Sequence, residues 1–314
     1  MLSVYNGAAE DDRDAIVFKD LRTTGDFLHD SIRAAKRNIV QKVQRKLNTA
    51  LRPTARGLWK GEYLQDPVLN TFDTSLARVA SQINPLEMTA AAFQTTLLGP
   101  GGIQSERGIT DDAKMINSSH FGYLDPLHSP EGSRTGVTLR LPIGVRKEGR
   151  EAKIHLYNTR TQKMELVDPV TAYESNIAMP DTVGWRDGKP HALKGDVMLM
   201  GAGNKLRTGS LAEAHYVMPQ ASQAFGLTAN LVPFMANDSP GRVNMGVRHM
   251  EQSISLKHRE APLVQVSSGK ETFNELLGQR ASHRSRVEGT VTAVTPQTIT
   301  VKAADGTLHP HDLY

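Results

Sequence analysis

The 314-residue chain contains no cysteine, which excludes a disulfide framework, a thiolate-held zinc and a cysteine nucleophile together. That absence fits a reducing compartment. No apolar run approaches the roughly 18 to 20 residues of a membrane-spanning helix. The first ten residues carry no basic region followed by an apolar stretch, so no secretory signal is expected. Internal repeats and low-complexity tracts are missing as well. Hydrophobic residues make up 39% of the chain, which is enough to build a core and argues against wholesale disorder. At about 150 residues per domain the length suggests roughly two domains. The expectation at this level is a soluble, intracellular protein with no membrane partner.

Charge is mild overall and uneven in place. The formal net charge is +4, but residues 19–60 hold eleven Lys/Arg against three acids, a local +8 set against −4 for the remainder. Such clustering suggests a polyanion nearby, with a solvated helix face as the bland alternative.

Residues 24–48 read as one amphipathic helix. Thr24 is placed to cap it, Asp26 favours its first turn, and Leu28, Ile32, Ala35, Ile39, Val43 and Leu47 form an apolar stripe. Further helices are expected over 74–81, 85–97 and 239–252. Between 99 and 136, glycines at 99, 101, 102, 108, 122, 132 and 136 argue for ordered loops that bend sharply or approach other backbone closely. Strands are expected over 137–145, 153–157, 161–167, 195–200 and 214–218, and a hairpin over 287–302.

Several familiar patterns fail. Ser268-Gly269-Lys270-Glu271-Thr272 lacks the upstream glycine of a phosphate loop, and Gly99-Pro-Gly-Gly lacks the strand and the acidic residue of a dinucleotide fingerprint. His309-Pro-His311-Asp312 reads as an exposed tail rather than a metal site. At the 239–252 helix, Ser239 is placed to cap and Pro240 suits the first helical position. Arg242, Met245, His249 and Gln252 then share one face. A cation in the first turn, beside free N–H groups, suits a phosphate, and a surface arginine is the alternative.

One stretch is of a different kind. Ser119-His120-Phe121-Gly122-Tyr123-Leu124-Asp125-Pro126-Leu127-His128-Ser129-Pro130-Glu131-Gly132 resembles a signature of the second-largest, β-type subunit of multisubunit DNA-dependent RNA polymerases. Asp11-Asp12-Arg13-Asp14 with Leu21-Arg22-Thr23-Thr24-Gly25-Asp26-Phe27-Leu28 resembles an upstream block of that family. Asn84-Pro85-Leu86 followed by Leu98-Gly99-Pro100-Gly101-Gly102 resembles its fork segment, with Glu106-Arg107 at its E-R pair. Downstream, Leu231 to Gly246, Gln252, Glu260 to Val264, and the Val287–Lys302 hairpin continue in family order.

This resemblance implies an α+β, multi-module segment with a helical N-terminal part and a β-rich C-terminal part. The modules expected are a protrusion-like helical segment (1–75), a fork region (76–140), a β-rich connecting module (141–225) and the start of a double-psi barrel or hybrid region (226–314), the barrel incomplete. It implies template-directed nucleotidyl transfer within a complex, the chain being inactive alone. Mg²⁺ would be held mainly by the largest, β′-type subunit. The other partners implied are the remaining β-subunit fragments, template DNA, transcript and NTPs.

By the same resemblance Arg242 contacts the incoming triphosphate and Gln252 lies near the RNA 3′ end. Arg107 and Lys114 meet DNA backbone, Arg134 meets RNA phosphate, Glu131 orients basic groups, and His120 either serves the site or holds its loop. The later lysine run and the magnesium triad of the family are not in this sequence, so a naturally split β subunit of a large bacteriophage is expected, with a recombinant fragment as the alternative. Such a chain would act in the host cytoplasm or a phage-associated compartment, or travel in the virion. Where bacterial members carry His and consecutive Arg/Lys residues beside the RNA path, this chain has Ala91, Ala92, Phe93 and Gln94, and rifamycin insensitivity is expected. A non-catalytic nucleic-acid-binding or regulatory protein derived from such a subunit is the alternative function.

Overall fold

The computed structural model describes residues 12–52, 54–79, 81, 83–201, 205–254, 256, 258, 260, 262–267, 269–272, 275 and 285–312. The chain divides into two compact units, one formed by 1–81 with 90–227 and the other by 82–89 with 228–314. It is mixed helix and sheet, as expected. Among the described residues no helix is long and apolar enough to cross a membrane.

In the first unit a helix spans Thr24–Thr49. Its N-cap is Thr23 rather than Thr24, and the Asp26 carboxylate accepts from the Thr23 N–H at 2.8 Å and its hydroxyl at 2.9 Å. Those bonds and Lys147 hold Asp26 below the ordinary carboxylate range. A second helix, Glu62–Phe72, packs along the first, and the Ser31 hydroxyl donates to the Pro67 carbonyl at 2.9 Å. The helix expected over 74–81 is not formed, because residues 73–76 make bends and turns after the Glu62–Phe72 helix ends.

Strand order places the core. The strands are β1 (Gln94–Thr96), β2 (Thr138–Arg140), β3 (Val145–Glu148), β4 (Glu151–Asn158), β5 (Lys163–Val167), β6 (Ile177–Ala178), β7 (Val183–Arg186), β8 (Lys189–Ala192), β9 (Val197–Gly201), β10 (Lys205–Gly209) and β11 (Tyr216–Val217). A seven-stranded sheet runs β10-β9-β6-β11-β4-β3, with β5 also paired to β4. Alternation along β4 sends Ala152, Ile154 and Leu156 into one apolar cluster with Tyr123, Val167 and Met218. Tyr157 turns to a second cluster with Val197, Leu199 and Val217. The strand expected over 137–145 is interrupted at residues 141–144, which include Pro142 and lie between β2 and β3.

In the second unit a helix spans Pro240–Glu251, with Val243 and Val247 buried one turn apart. The C-terminal strands β12 (Gly289–Val294), β13 (Thr298–Ala303) and β14 (Leu308–Asp312) form an antiparallel sheet. The His309–Asp312 stretch, expected as a tail, is therefore the third strand, paired to β13 along its length. No closed barrel occurs among the described residues.

Candidate functional site

The glycine-rich stretch is held by backbone geometry. The helix expected over 85–97 stops at Ala92, and β1 then pairs with β2 in the register Thr95↔Leu139. β-Branched Thr95 and Thr96 favour that outcome over continued helix. Beyond β1 the chain folds on itself, the Ile103 N–H donating to the Leu97 carbonyl at 2.8 Å and Gly99 N–H to Ile103 at 2.9 Å. A Cβ on Gly102 would lie 2.2 Å from the Leu97 oxygen, so only glycine closes this turn.

Two loops then meet. Ser105 caps a short turn, Glu106–Gly108, and Thr110 caps a short helix, Asp111–Lys114. From the other loop, Ser133 donates to Glu106 at 3.0 Å and the Arg134 guanidinium pairs with the same carboxylate. Arg134, then Ser133, lower the Glu106 pKa from its ordinary value. The Ser129 hydroxyl accepts from Gly136 N–H at 2.8 Å, and Gly136 (φ +73°) sits so close to the Lys114 carbonyl that an added Cβ would lie 2.0 Å from its oxygen. Thus Arg107, Lys114, Glu131 and Arg134 are carried on two loops pinned together by Glu106 and Gly136. Arg107 is exposed, Lys114 pairs with Asp111 at 3.0 Å, and Glu131 is exposed on its loop.

His120 lies behind this surface. It is buried, and its Nε2 sits 3.0 Å from the Asp14 carbonyl. Burial is the main reason its pKa falls below the ordinary imidazole value. Ser119 Oγ accepts from the Ile16 N–H at 2.9 Å, and Asn117 donates to Asp12 at 2.5 Å. The acidic upstream block and the Ser-His-Phe-Gly block are therefore one contact. Asp125 is fully buried, and its two oxygens accept from Gly226 N–H at 2.7 Å and Leu127 N–H at 2.8 Å. Burial raises its pKa in spite of those bonds. Arg22 donates to the Pro100 carbonyl at 3.0 Å, tying the N-terminal block to the Gly-Pro-Gly-Gly turn.

The second unit carries Arg242 and Gln252. Ser239 stands at the N-cap, but its side chain makes no capping bond; the turn is instead set by the Ser239 N–H donating to Asp238 at 2.8 Å. Arg242 is exposed and its Nη1 lies 3.5 Å from Met245 Sδ, so the two share a face. Gln252 is the C-cap residue. The end of this helix is held by Asn84, whose amide faces the carbonyls of Met250 (2.8 Å), Glu251 (2.9 Å) and Ser253 (3.2 Å). Asn84 Oδ1 accepts from Leu86 N–H at 2.9 Å, starting the Pro85–Ala92 helix. The Glu251 carboxylate is buried and accepts from Thr228 at 3.0 Å. Asn84, Glu106, Asp125 and Gly136 are the organising residues that sequence reasoning named only inside motifs. The available signals were Asn before Pro at a helix start and the density of glycines. Among the described residues no group of three metal-ligating side chains occurs.

Comparison with known proteins points in one direction. Residues 78–144 match the family model RNA polymerase Rpb2, domain 3. Over 329 residues the chain is 23% identical to the DNA-directed RNA polymerase subunit beta of Thermus thermophilus, covering 98% of this chain and 27% of that protein. It is 26% identical over 325 residues to the corresponding subunit of Prochlorococcus marinus, covering 98% and 28%. With that of Mycoplasmopsis synoviae it shares 26% over 263 residues, covering 81% and 22%. The chain therefore spans between a fifth and three tenths of the length of these curated relatives.

Proposed function

We propose that this chain works within the catalytic core of a DNA-directed RNA polymerase, as a β-type part shaping the fork and the nucleotide-facing wall. The observation that carries this reading is similarity to polymerase β subunits along 98% of the chain. In this reading the Arg107 and Lys114 carried on the two loops meet DNA backbone, and Arg134 exchanges Glu106 for a transcript phosphate. Arg242 neutralises triphosphate charge, and Gln252 lies by the RNA 3′ end. Phosphoryl transfer depends mainly on such positioning and charge neutralisation. The metal ions belong to the partner largest subunit in this proposal, and no step runs through a metal on this chain. Its finer parts are an origin in a large bacteriophage with the β subunit split between polypeptides, inactivity of the chain alone, and strands of 226–314 contributing to a barrel completed by other segments.

Co-purification tests it. The full chain should leave the cell in a stable complex with polypeptides carrying the N-A-D-F-D-G-D and G-D-K…G-N-K-G motifs, and that complex should make RNA on a DNA template with Mg²⁺. Arg242→Ala in the complex should lower kcat/KM for NTP by about tenfold to a hundredfold, the worth of a charged hydrogen bond of ~1.5–3 kcal/mol. A free monomer with no such partner overturns the reading.

A further inference from the structure

We infer that the face of the Thr24–Thr49 helix, together with the segment that follows to Lys60, is a second nucleic-acid surface that takes single-stranded nucleic acid. The inference stands apart from the polymerase reading, since it uses none of the residues placed there.

From Ser31 through Gly61 the chain has nine cations and no acid: Arg33, Lys36, Arg37, Lys42, Arg45, Lys46, Arg52, Arg56 and Lys60. Eight of them are exposed and Lys46 is half-buried. Elsewhere in the same unit eight cations find counter-charges: Lys19 with Asp14, Arg22 and Arg150 with Asp30, Lys114 with Asp111, Arg134 with Glu106, Lys147 with Asp26, Lys153 with Glu148 and Arg207 with Glu213. Among the described residues none of the nine has such a partner. The two helix acids, Asp26 and Asp30, are already engaged by Lys147, Arg22 and Arg150. The positive charge of the later turns is therefore uncompensated by the fold, and long cationic side chains left this way suit a polyanion.

Geometry narrows the polyanion. Arg33, Arg37, Gln41, Gln44 and Asn48 fall on one side of the helix at three- and four-residue steps, all exposed, away from the apolar stripe. This row of cations and amides, free of acids, matches phosphate oxygens in series. Past the helix, Trp59 is 51% exposed between Arg56 and Lys60 and meets Tyr63 edge-on at 6.0 Å. Lys42 and Lys46 lie over the Tyr63 ring at 5.9 and 5.5 Å. An exposed indole among cations gives an unstacked base a platform, which duplex DNA does not use.

The full chain should therefore bind a fluorescein-labelled oligothymidylate of about 12 nucleotides more tightly than a duplex of equal length, by anisotropy. The triple substitution Arg33→Gln, Arg37→Gln, Arg45→Gln should weaken binding at least tenfold at low salt and reduce the log–log salt slope by about 2, at ~0.7 per lost phosphate contact. In a Trp185→Phe background, oligothymidylate should quench the Trp59 fluorescence, and Trp59→Ala should weaken binding about fivefold or more while leaving the salt slope unchanged. The quench needs no substitution at Trp59, so poor folding of that variant leaves the test intact. Unchanged affinity in the triple variant, absence of quenching, or preference for duplex overturns the inference. Equal binding of polyglutamate assigns the face to an acidic protein partner and overturns it too. None of these outcomes bears on co-purification with polymerase subunits.

Discussion

Asn84 offers a sharp quantitative test, because one buried side chain organises the helix that carries Arg242 and Gln252. Its amide group has two hydrogens facing the carbonyls of Met250, Glu251 and Ser253, and its oxygen accepts from the Leu86 N–H. The last carbonyls of a helix have no intrahelical partner, so the amide meets a real need at this end. Two donated bonds at about 1 kcal/mol each, and a cap at the next helix of about 1 kcal/mol, give roughly 3 kcal/mol for Asn84→Ala. Asn84→Asp is nearly isosteric and should be worse than alanine, because a carboxylate would replace the donor facing those carbonyls. Denaturant unfolding followed by far-UV circular dichroism reads the first effect. Hydrogen exchange at the amides of 247–252 reads where it falls. A loss below about 0.5 kcal/mol for Asn84→Ala, or an aspartate variant more stable than the alanine one, refutes the argument.

Three further outcomes follow from the same reasoning. Gly136→Ala, with positive φ and a Cβ 2.0 Å from the Lys114 oxygen, should cost more than about 3 kcal/mol. Gly132→Ala has open space around its Cβ and should cost only the ~1–2 kcal/mol of its left-handed backbone; equal melting temperatures for the two would refute the close approach. Burial depresses the His120 pKa, so the unfolded chain takes up this proton first as pH falls. The stability it contributes is complete above the ordinary pKa near 6.5 and is lost as pH drops towards the lowered value; His120→Gln should flatten unfolding free energy across that window, and an unchanged slope counts against it. RNA synthesis by a complex containing this chain should persist at micromolar rifamycin, given Ala91, Ala92, Phe93 and Gln94; abolition of synthesis would refute that expectation.

Legibility in the sequence follows the range of the forces involved. The Thr24–Thr49 helix is legible because its stripe repeats locally, and the Pro240–Glu251 helix because proline stands at its first position. The Glu62–Phe72 helix escapes the same reading, since Pro67 sits inside it and its stability comes from packing on its neighbour. Phe93 to Thr96 look like a continuing helix until β2, more than forty residues on, supplies a pairing partner. His309 to Asp312 likewise need β13 to become a strand. At the site, glycine density marks the turns, but nothing periodic announces that Glu106 takes Arg134 across 28 residues.

The motif blocks themselves acquire a physical meaning that resemblance alone does not supply. Asp12 and Asp14 meet Asn117 and His120, Arg22 meets Pro100, Asn84 meets the 250–253 turn, and Asp125 meets Gly226, each across 78 to 169 residues. These residues are the two ends of long-range tethers, and closing a long loop needs specific, satisfied contacts to offset its entropy. Arg107 and Arg242 are of another kind. Both are exposed, and among the described residues Arg242 contacts a sulfur within its own helix turn. Among the described residues neither side chain takes part in such a tether. In the proposed function, a defect arising from Asp12, Asn84 or Asp125 reports the scaffold, while one arising from Arg107 or Arg242 in a stable protein reports a ligand.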